Sequence, residues 1–189
     1  MNDKIILKIQ ENIEIKEKMK ELTPVIKQIV NLIISTYKNE NKVILCGNGG
    51  SAADAQHIAG EFVGRFFKER KALPALALNA NSSIITALGN DYGYDSIYKR
   101  QVEANLNEGD VVIGISTSGN SKNIVEAIKY ANENGGKTIA FVGKKSCTLD
   151  DMANIVLKIP SESTPRIQEG HITVGHIICE LVEENLFPN

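Results

Sequence analysis

Apolar residues recur at helical spacing through the first forty residues of the chain. Isoleucines at four-residue intervals begin at Ile5, and a second apolar stripe follows at residues 25–34. Spacings of three and four residues predict amphipathic helices, and Thr23-Pro24 is typical of a helix start. We therefore expect a hairpin of two helices over residues 1–40. The second helix is apolar around much of its girth, which favours contact with a partner subunit.

After residue 41 the pattern changes to short, nearly continuous apolar runs that alternate mostly with helical segments. Such runs predict strands of a parallel sheet that is covered on both faces. Alternation with helices indicates βαβ crossovers, so the expected fold is a doubly wound α/β domain with a mainly five-stranded parallel sheet. The predicted strands are Val43–Cys46, Leu73–Leu78, Val111–Ile115, Thr138–Val142 and Ile155–Ile159.

Length and composition limit the class of protein further. A chain of 189 residues with 42% apolar and 23% charged residues can bury one core and is too apolar for intrinsic disorder. We expect a single domain over residues 1–189, with a sheet core at 41–189. The net charge of −2 gives no general attraction to nucleic acid or to a membrane surface.

The same sequence indicates a cytoplasmic protein. No apolar run reaches the ~20 residues that a membrane-spanning helix needs, and the charged N-terminus does not resemble a signal peptide. The three cysteines, Cys46, Cys147 and Cys179, lack a Cys-x-x-Cys spacing. This pattern argues against a zinc finger or a disulfide scaffold and favours a reducing compartment.

A hydroxyl-rich turn, Ser116–Ser121 (STSGNS), joins the third predicted strand to an amphipathic helix. Free N–H groups and the positive end of the helix dipole favour an anion at such a position, and hydroxyl groups add further donors. Serine and asparagine often serve only as helix caps, which is the alternative interpretation. The chain lacks the Gly-x-x-x-x-Gly-Lys pattern of nucleoside triphosphate sites. A compact phosphomonoester is therefore the expected ligand.

The first predicted strand leads into a glycine-rich loop at residues 47–51 and a helix predicted from Ala52 to about Phe66. The start of the loop resembles a dinucleotide fingerprint, but Ala52 occupies the third glycine position, and the second strand ends in Asn79 rather than an acidic residue. A nicotinamide site is therefore only a weak alternative.

Within that helix, His57 and Glu61 are four residues apart and share one face. They could bind a divalent metal, or Glu61 could act as a base beside a substrate carbon. An ordinary surface pair is the alternative.

The last helix is predicted from Pro165 to about Asn185 and carries polar residues amid an apolar stripe. At 100° per residue, Gln168 lies about 80° and Glu169 about 20° from His176. Spacing alone therefore does not decide which of the two works with His176. A histidine on an apolar helix is more often a hydrogen-bonded core residue than a ligand.

Together these segments resemble the phosphoheptose (sedoheptulose 7-phosphate) isomerases, which belong to the sugar isomerase (SIS) domain superfamily. The resemblance rests on Cys46–Phe66, the turn at 116–121, Asn90-Asp91 and Thr164–Glu180, and it covers essentially the whole chain. It implies the SIS fold and a homotetramer. It also implies conversion of D-sedoheptulose 7-phosphate to D-glycero-D-manno-heptose 7-phosphate through an enediol. That reaction starts the synthesis of heptoses for bacterial lipopolysaccharide or capsule.

The resemblance also implies functional residues. Glu61 and His176 are the expected acid/base pair, and family members that bind zinc would place it on His57, Glu61, Gln168 and His176. Substrate contacts would fall on Asn48, Gly49, Gly50, Ser51, Glu61, Asn90, Asp91, Ser116, Thr117, Ser118, Ser121 and Gln168. Two alternatives remain open. One is a non-catalytic SIS-domain protein that binds a replication initiator or senses a sugar phosphate, and the other is an isomerase of a different sugar phosphate.

Overall fold

Five parallel strands form the centre of the protein. They are β1 (Val43–Gly47), β2 (Ala75–Ala77), β3 (Val111–Ile115), β4 (Lys137–Val142) and β5 (Ile155–Lys158). Their order in the sheet is β2-β1-β3-β4-β5, and every neighbouring pair is parallel. This computed structural model describes residues 1–188. The predicted α/β fold with a five-stranded parallel sheet is confirmed.

Helices cover both faces of the sheet. Among the described residues they are α1 (Asn2–Lys18), α2 (Thr23–Lys38), α3 (Gly50–Val63), α4 (Ser82–Tyr92), α5 (Ile97–Asn105), α6 (Lys122–Glu133) and α7 (Thr164–Leu186). Successive residues of a strand point to opposite faces. Leu45 and Ile113 therefore pack with α2, α3 and α7, while Ile44 and Val112 pack with α5 and α6. This double burial explains why the strands read as continuous apolar runs.

The chain leaves β1 and β3 towards opposite sides of the sheet, since β2 lies beyond β1 and β4 lies beyond β3. Ligands of open parallel sheets bind at such a switch point, beyond the carboxyl ends of the strands. The loop after β1 and the turn after β3 border this crevice. The fold therefore brings the two predicted ligand-binding loops together.

The N-terminal helices differ from the predicted hairpin. A single 3-10 turn, Met19–Leu22, joins α1 to α2, and the backbone at Lys18, Met19 and Leu22 stays in the right-handed helical region. Residues early in α1 contact the start of α7, where Arg166 donates to the carbonyl of Lys8 (3.0 Å). The next helix, α2, lines a cavity with later residues of α7. Both helices thus advance along α7 in one direction, because a 3-10 turn does not reverse the chain.

The apolar side chains of α2 pack within this chain rather than against a partner. Ile26, Ile29, Val30 and Ile33 are all buried in the core. The helix with uncovered apolar residues is instead α1, which has no buried residue. Its side chains Ile5, Ile6, Leu7, Ile9 and Ile13 are 48–66% exposed. The candidate surface for a partner subunit therefore moves from α2 to α1.

The second strand is shorter than the predicted Leu73–Leu78. The amide of Leu73 donates to Phe62 O (3.1 Å) rather than to the sheet, and Pro74 has no N–H to donate. The short strand β2 lies at the edge of the sheet, where a proline is tolerated. No described helix combines the length and apolarity that crossing a membrane requires.

Candidate active site

The hydroxyl groups of the turn after β3 face one another. Oγ of Ser116 lies 3.0 Å from Oγ of Ser121 and 3.4 Å from Oγ of Ser118, and it accepts a hydrogen bond from the amide of Gly119 (3.1 Å). Although Ser121 is the N-cap residue of α6, its side chain makes no capping bond. Helix capping therefore does not account for Ser121, and the converging hydroxyls suit an oxyanion.

Gly119 allows the turn to form. Its φ is +65°, and a Cβ at this position would lie 2.2 Å from Sγ of Cys147. Both the left-handed backbone and the close sulfur exclude a larger residue. The turn is therefore packed directly against the segment that follows β4.

The loop after β1 is tied to this turn by side-chain amides. Asn48 and Asn123 donate to each other's carbonyl oxygens at 2.9 Å, and the hydroxyl of Tyr94 lies 3.0 Å from Oδ1 of Asn48. Gly50 contacts the start of α7, because a Cβ there would lie 2.5 Å from Nε2 of Gln168. Loop, turn and α7 thus meet at one edge, which brings Asn48, Gly50 and Gln168 together.

Two histidines and a glutamate converge from α3 and α7. Nε2 of His57 lies 3.1 Å from Oε1 of Glu61 and 3.3 Å from Nε2 of His176. The two helices run side by side in one direction and approach closely at Gly175, where a Cβ would lie 2.7 Å from Cδ1 of Ile58. The fold thus joins His176 to the pair that helical spacing had placed on α3.

These three groups fit a divalent metal ion. One donor atom from each lies within 4.8 Å of the others. A four-coordinate ion with bonds of about 2.0–2.1 Å separates its ligand atoms by about 3.3–3.4 Å, close to the 3.1 and 3.3 Å found here. Gln168 lies against Gly50, which precedes His57 by seven residues, or about 10 Å along α3. The structure therefore groups Gln168 with the glycine-rich loop.

The core histidine of α7 is His171 rather than His176. His171 is fully buried, and its Nε2 donates to Val142 O (3.2 Å). Burial lowers its pKa to about 4, although that hydrogen bond acts in the opposite direction. His176 is only partly buried and faces His57. The two histidines of α7 therefore have different roles.

A loop after α3 closes one side of the cluster, and Glu183 holds this loop. The ring of Phe66 lies 5.9 Å from that of His176. The Glu183 carboxylate accepts the backbone N–H groups of residues 66–68 (2.7–2.8 Å) and Nε of Arg70 (2.9 Å). Burial alone would raise the pKa of Glu183, but these donors lower it to about 2.

Asp54 lies beside the candidate site and was not among the predicted residues. It lies four residues after Gly50 and three before His57, so it shares their face of α3. Its Oδ2 is buried without a hydrogen-bond partner among the described residues. Burial raises the pKa of this carboxyl to about 6, and His57 acts in the opposite direction. The i−3 spacing from His57 was a signal that could have identified it.

The remaining predicted pair, Asn90 and Asp91, is exposed at the end of α4. Nδ2 of Asn90 donates to Oδ1 of Asp91 (2.8 Å). Within residues 1–188, no hydrogen bond joins this pair to the other predicted site residues. Tyr94, which follows shortly after, does reach Asn48. Neither Tyr94 nor Asn123 was predicted, since no local spacing links residues so distant in sequence.

Several known proteins are similar to this chain in sequence and in fold. Residues 9–143 match the profile of the SIS domain family. The phosphoheptose isomerase of Citrifermentans bemidjiense is 57% identical over 88% of this chain and 87% of its own length. That of Aneurinibacillus thermoaerophilus is 51% identical over 100% of this chain and 97% of its own. The solved structure of a phosphoheptose isomerase from Francisella tularensis has a TM-score of 0.93 at 36% identity, covering 96% of this chain and 97% of that one.

Proposed function

Because the chain belongs to the SIS domain family and, within it, to the phosphoheptose isomerases, we propose that its site isomerises D-sedoheptulose 7-phosphate to D-glycero-D-manno-heptose 7-phosphate. The enzyme is a sugar-phosphate isomerase. The observation that carries the reaction is the meeting of His57, Glu61 and His176, on helices whose starts adjoin the phosphate turn. The product serves heptose synthesis for surface polysaccharide.

The hydroxyl turn and the glycine-rich loop anchor the substrate in this proposal. Ser116, Ser118 and Ser121 supply hydroxyl donors to the phosphate oxygens, and the free N–H groups at the start of α6 add positive potential. Ser51, Thr117 and the backbone at Gly49 and Gly50 border the same edge, and Gln168 lies over the loop. This arrangement leaves the sugar to extend along α3 towards Glu61.

Glu61 and His176 then move protons between the first two carbons. Glu61 removes a proton from C1 of the ketose while His176 gives a proton to the oxygen on C2, which yields the enediol. His176 next takes the proton from the oxygen on C1, and Glu61 returns its proton to C2 to give the aldose. The proton count is balanced over the cycle, so neither group is consumed.

The ring nitrogens and carboxylate of the cluster could also hold zinc, with His57, Glu61 and His176 as ligands. Gln168, which the resemblance implies as the fourth, lies against Gly50 and would have to turn towards the cluster to bind the ion. Bound there, zinc would supply a Lewis acid for the carbonyl oxygen. A ligating carboxylate is a weaker base, so Glu61 would do less proton transfer in that state. Chelation followed by elemental analysis and a turnover assay tests this role, and full activity in a metal-free sample would exclude it.

Glu61→Gln and His176→Gln test the acid/base assignment. We expect each variant to lose at least about 10²-fold in kcat on sedoheptulose 7-phosphate, the lower range for general acid–base groups, with an unchanged circular dichroism spectrum. Glu184→Gln changes an exposed carboxyl two turns further along α7 and is the matched control. Near wild-type kcat in either site variant would refute the assignment. Phosphate binding by an inactive wild-type chain would instead favour a sensor or binding protein.

We also propose a cytoplasmic homotetramer. The exposed isoleucines and leucine of α1 support subunit contact, and the free thiols of Cys46, Cys147 and Cys179 suit a reducing compartment. Light scattering should give about four times the 20.6 kDa of one chain. A measured mass of 20.6 kDa, that of a single chain, would refute the assembly.

A further inference from the structure

The direction of the hydrogen bonds between Asn48 and Asn123 is set by the backbone of α6. Oδ1 of Asn123 accepts the amide N–H of Ile124 at 3.0 Å. Since a backbone N–H can only donate, this contact identifies the oxygen of the Asn123 side chain. Its Nδ2 must then donate to Oδ1 of Asn48, and Nδ2 of Asn48 must donate in return, both at 2.9 Å.

Tyr94 completes the set of contacts to Asn48. Its hydroxyl oxygen lies 3.0 Å from Oδ1 of Asn48. Because that carboxamide oxygen can only accept, the tyrosine must donate. A carbonyl oxygen has two lone pairs, and those of Asn48 are now taken by Asn123 and Tyr94. The carboxamide has two N–H bonds, of which one is used within residues 1–188, so the Asn48 side chain retains one free donor and no free acceptor there.

This arrangement spans the crevice between the loop after β1 and the start of α6. Asn123 is 2% exposed, so its orientation is fixed by packing as well as by hydrogen bonds. Tyr94 is 57% exposed and approaches from the solvent side. A single free N–H at this position is complementary to a phosphate or hydroxyl oxygen of a ligand and offers nothing to a ligand donor.

We propose that Asn123 and Tyr94 are positioning residues that occupy the oxygen of Asn48 and thereby reserve its remaining N–H for an oxygen of the sugar phosphate. The inference rests on the proposed function, because it takes Asn48 as a substrate contact. It adds two residues that act through Asn48 and need not touch the substrate themselves.

Tyr94→Phe is the cleanest test, because it removes one hydroxyl from a largely exposed side chain. We expect KM for sedoheptulose 7-phosphate to rise about threefold to tenfold, the range of one neutral hydrogen bond, with kcat within twofold. The matched control is Tyr92→Phe. Tyr92 is 56% exposed and packs its ring against Arg100, so its KM should not change. An unchanged KM in Tyr94→Phe would overturn the role of Tyr94.

A double-mutant cycle separates positioning from a direct contact. In an Asn48→Ala background, Tyr94→Phe should have no further effect on KM, because its partner is gone. A full additional rise in that background would show that Tyr94 acts on the substrate directly and would overturn the proposal. An unchanged KM in Asn48→Ala alone would do the same.

Asn123→Asp tests the buried member of the pair. A carboxylate still accepts from the amide of Ile124, but it cannot donate to Asn48. We expect KM to rise in this variant, and the rise to be smaller in the Asn48→Ala background, where only charge repulsion of the phosphate remains. A rise of equal size there would leave charge repulsion as its whole cause and would refute positioning.

Binding measured by calorimetry with sedoheptulose 7-phosphate distinguishes this inference from the proposed function. If wild-type protein binds but does not turn over the sugar, the isomerase proposal fails. The same variants then test positioning through Kd alone: a weaker Kd in Tyr94→Phe but not in Tyr92→Phe would support it, and equal values would overturn it.

Discussion

Replacing Glu183 by glutamine tests whether this buried carboxylate holds the loop that packs against His176. The side chains of Glu183 and Arg70 are both 2% exposed. One carboxylate oxygen accepts the amides of Phe67 and Lys68, and the other accepts Phe66 N–H and Arg70 Nε. Either orientation of a glutamine amide would therefore turn an NH₂ group towards two donors.

The expected loss of stability follows from these contacts. Each unsatisfied buried donor costs about 1–3 kcal/mol, and removing one partner of a buried ion pair costs about 3–5 kcal/mol. The two effects describe the same contacts and do not add. We therefore expect Glu183→Gln to lower the free energy of unfolding by about 3–5 kcal/mol, a large part of the stability of an ordinary domain.

The pH dependence of stability is a second readout of the same contacts. The pKa of Glu183 is about 2 in the folded protein, against an ordinary value of 4.5. A lowered carboxyl pKa stabilises the fold at pH above about 4.5, and this contribution disappears as the pH falls towards 2. Since these contacts are the cause of the lowered pKa, about 3 kcal/mol of the expected loss should depend on pH.

Urea unfolding at one fixed protein concentration measures the effect. The wild type and Glu183→Gln should differ by about 3–5 kcal/mol at pH 7 and by clearly less at pH 3. Glu184→Gln, which changes an exposed neighbour, should stay within about 0.5 kcal/mol of wild type. A difference below about 1 kcal/mol for Glu183→Gln, or one that does not change with pH, would refute the reasoning.

Three further predictions concern the site itself. Gly175→Ala should reduce kcat and lower Tm, because its Cβ would lie 2.7 Å from Ile58, and adding Ile58→Val should partly restore both; normal activity in the single variant would show that the helix contact does not set the cluster. Asp54→Asn should raise the free energy of unfolding of chelator-treated protein by about 1–2 kcal/mol at pH 8, a value reduced for its partial exposure, and should have no effect near pH 3.5. The sign follows from the raised pKa of about 6. Between about pH 4 and 6 the unfolded chain loses the Asp54 proton while the folded chain keeps it, so the fold loses stability over this range. Equal stability of the two proteins at pH 8 would contradict the prediction. Ser121→Ala should raise KM about tenfold and change stability by less than about 1 kcal/mol, because its hydroxyl caps no helix; a normal KM would remove Ser121 from the phosphate site.

The sheet was predictable because burial on both faces leaves a direct trace in the sequence. The five apolar runs are strands in the structure, and their alternation with helices was sufficient for parallel order. The course of the N-terminal helices was not predictable in the same way. Helical spacing specifies which face of α1 and α2 is apolar, but the direction in which the chain leaves Met19–Leu22 depends on packing against α7.

The candidate site likewise contains some residues that local spacing predicts and others that only tertiary packing brings together. His57 and Glu61 share a face because of their spacing, so local geometry was enough for that pair. The addition of His176, more than a hundred residues later, required either tertiary packing or family resemblance. Tyr94 and Asn123 are tied to Asn48 only by contacts across the crevice, and such contacts leave no periodic pattern.

The close contact of α3 and α7 at Gly175 also has a meaning for protein design. All three groups of the cluster come from two helices that run in one direction, and Gly175 allows these helices to approach beside His57 and His176. A designer would need an i, i+4 histidine and glutamate on one helix, a histidine on its neighbour and a glycine just before that histidine. These requirements involve only the two helices and not the sheet, so the cluster could be built on any scaffold with two parallel helices at this distance.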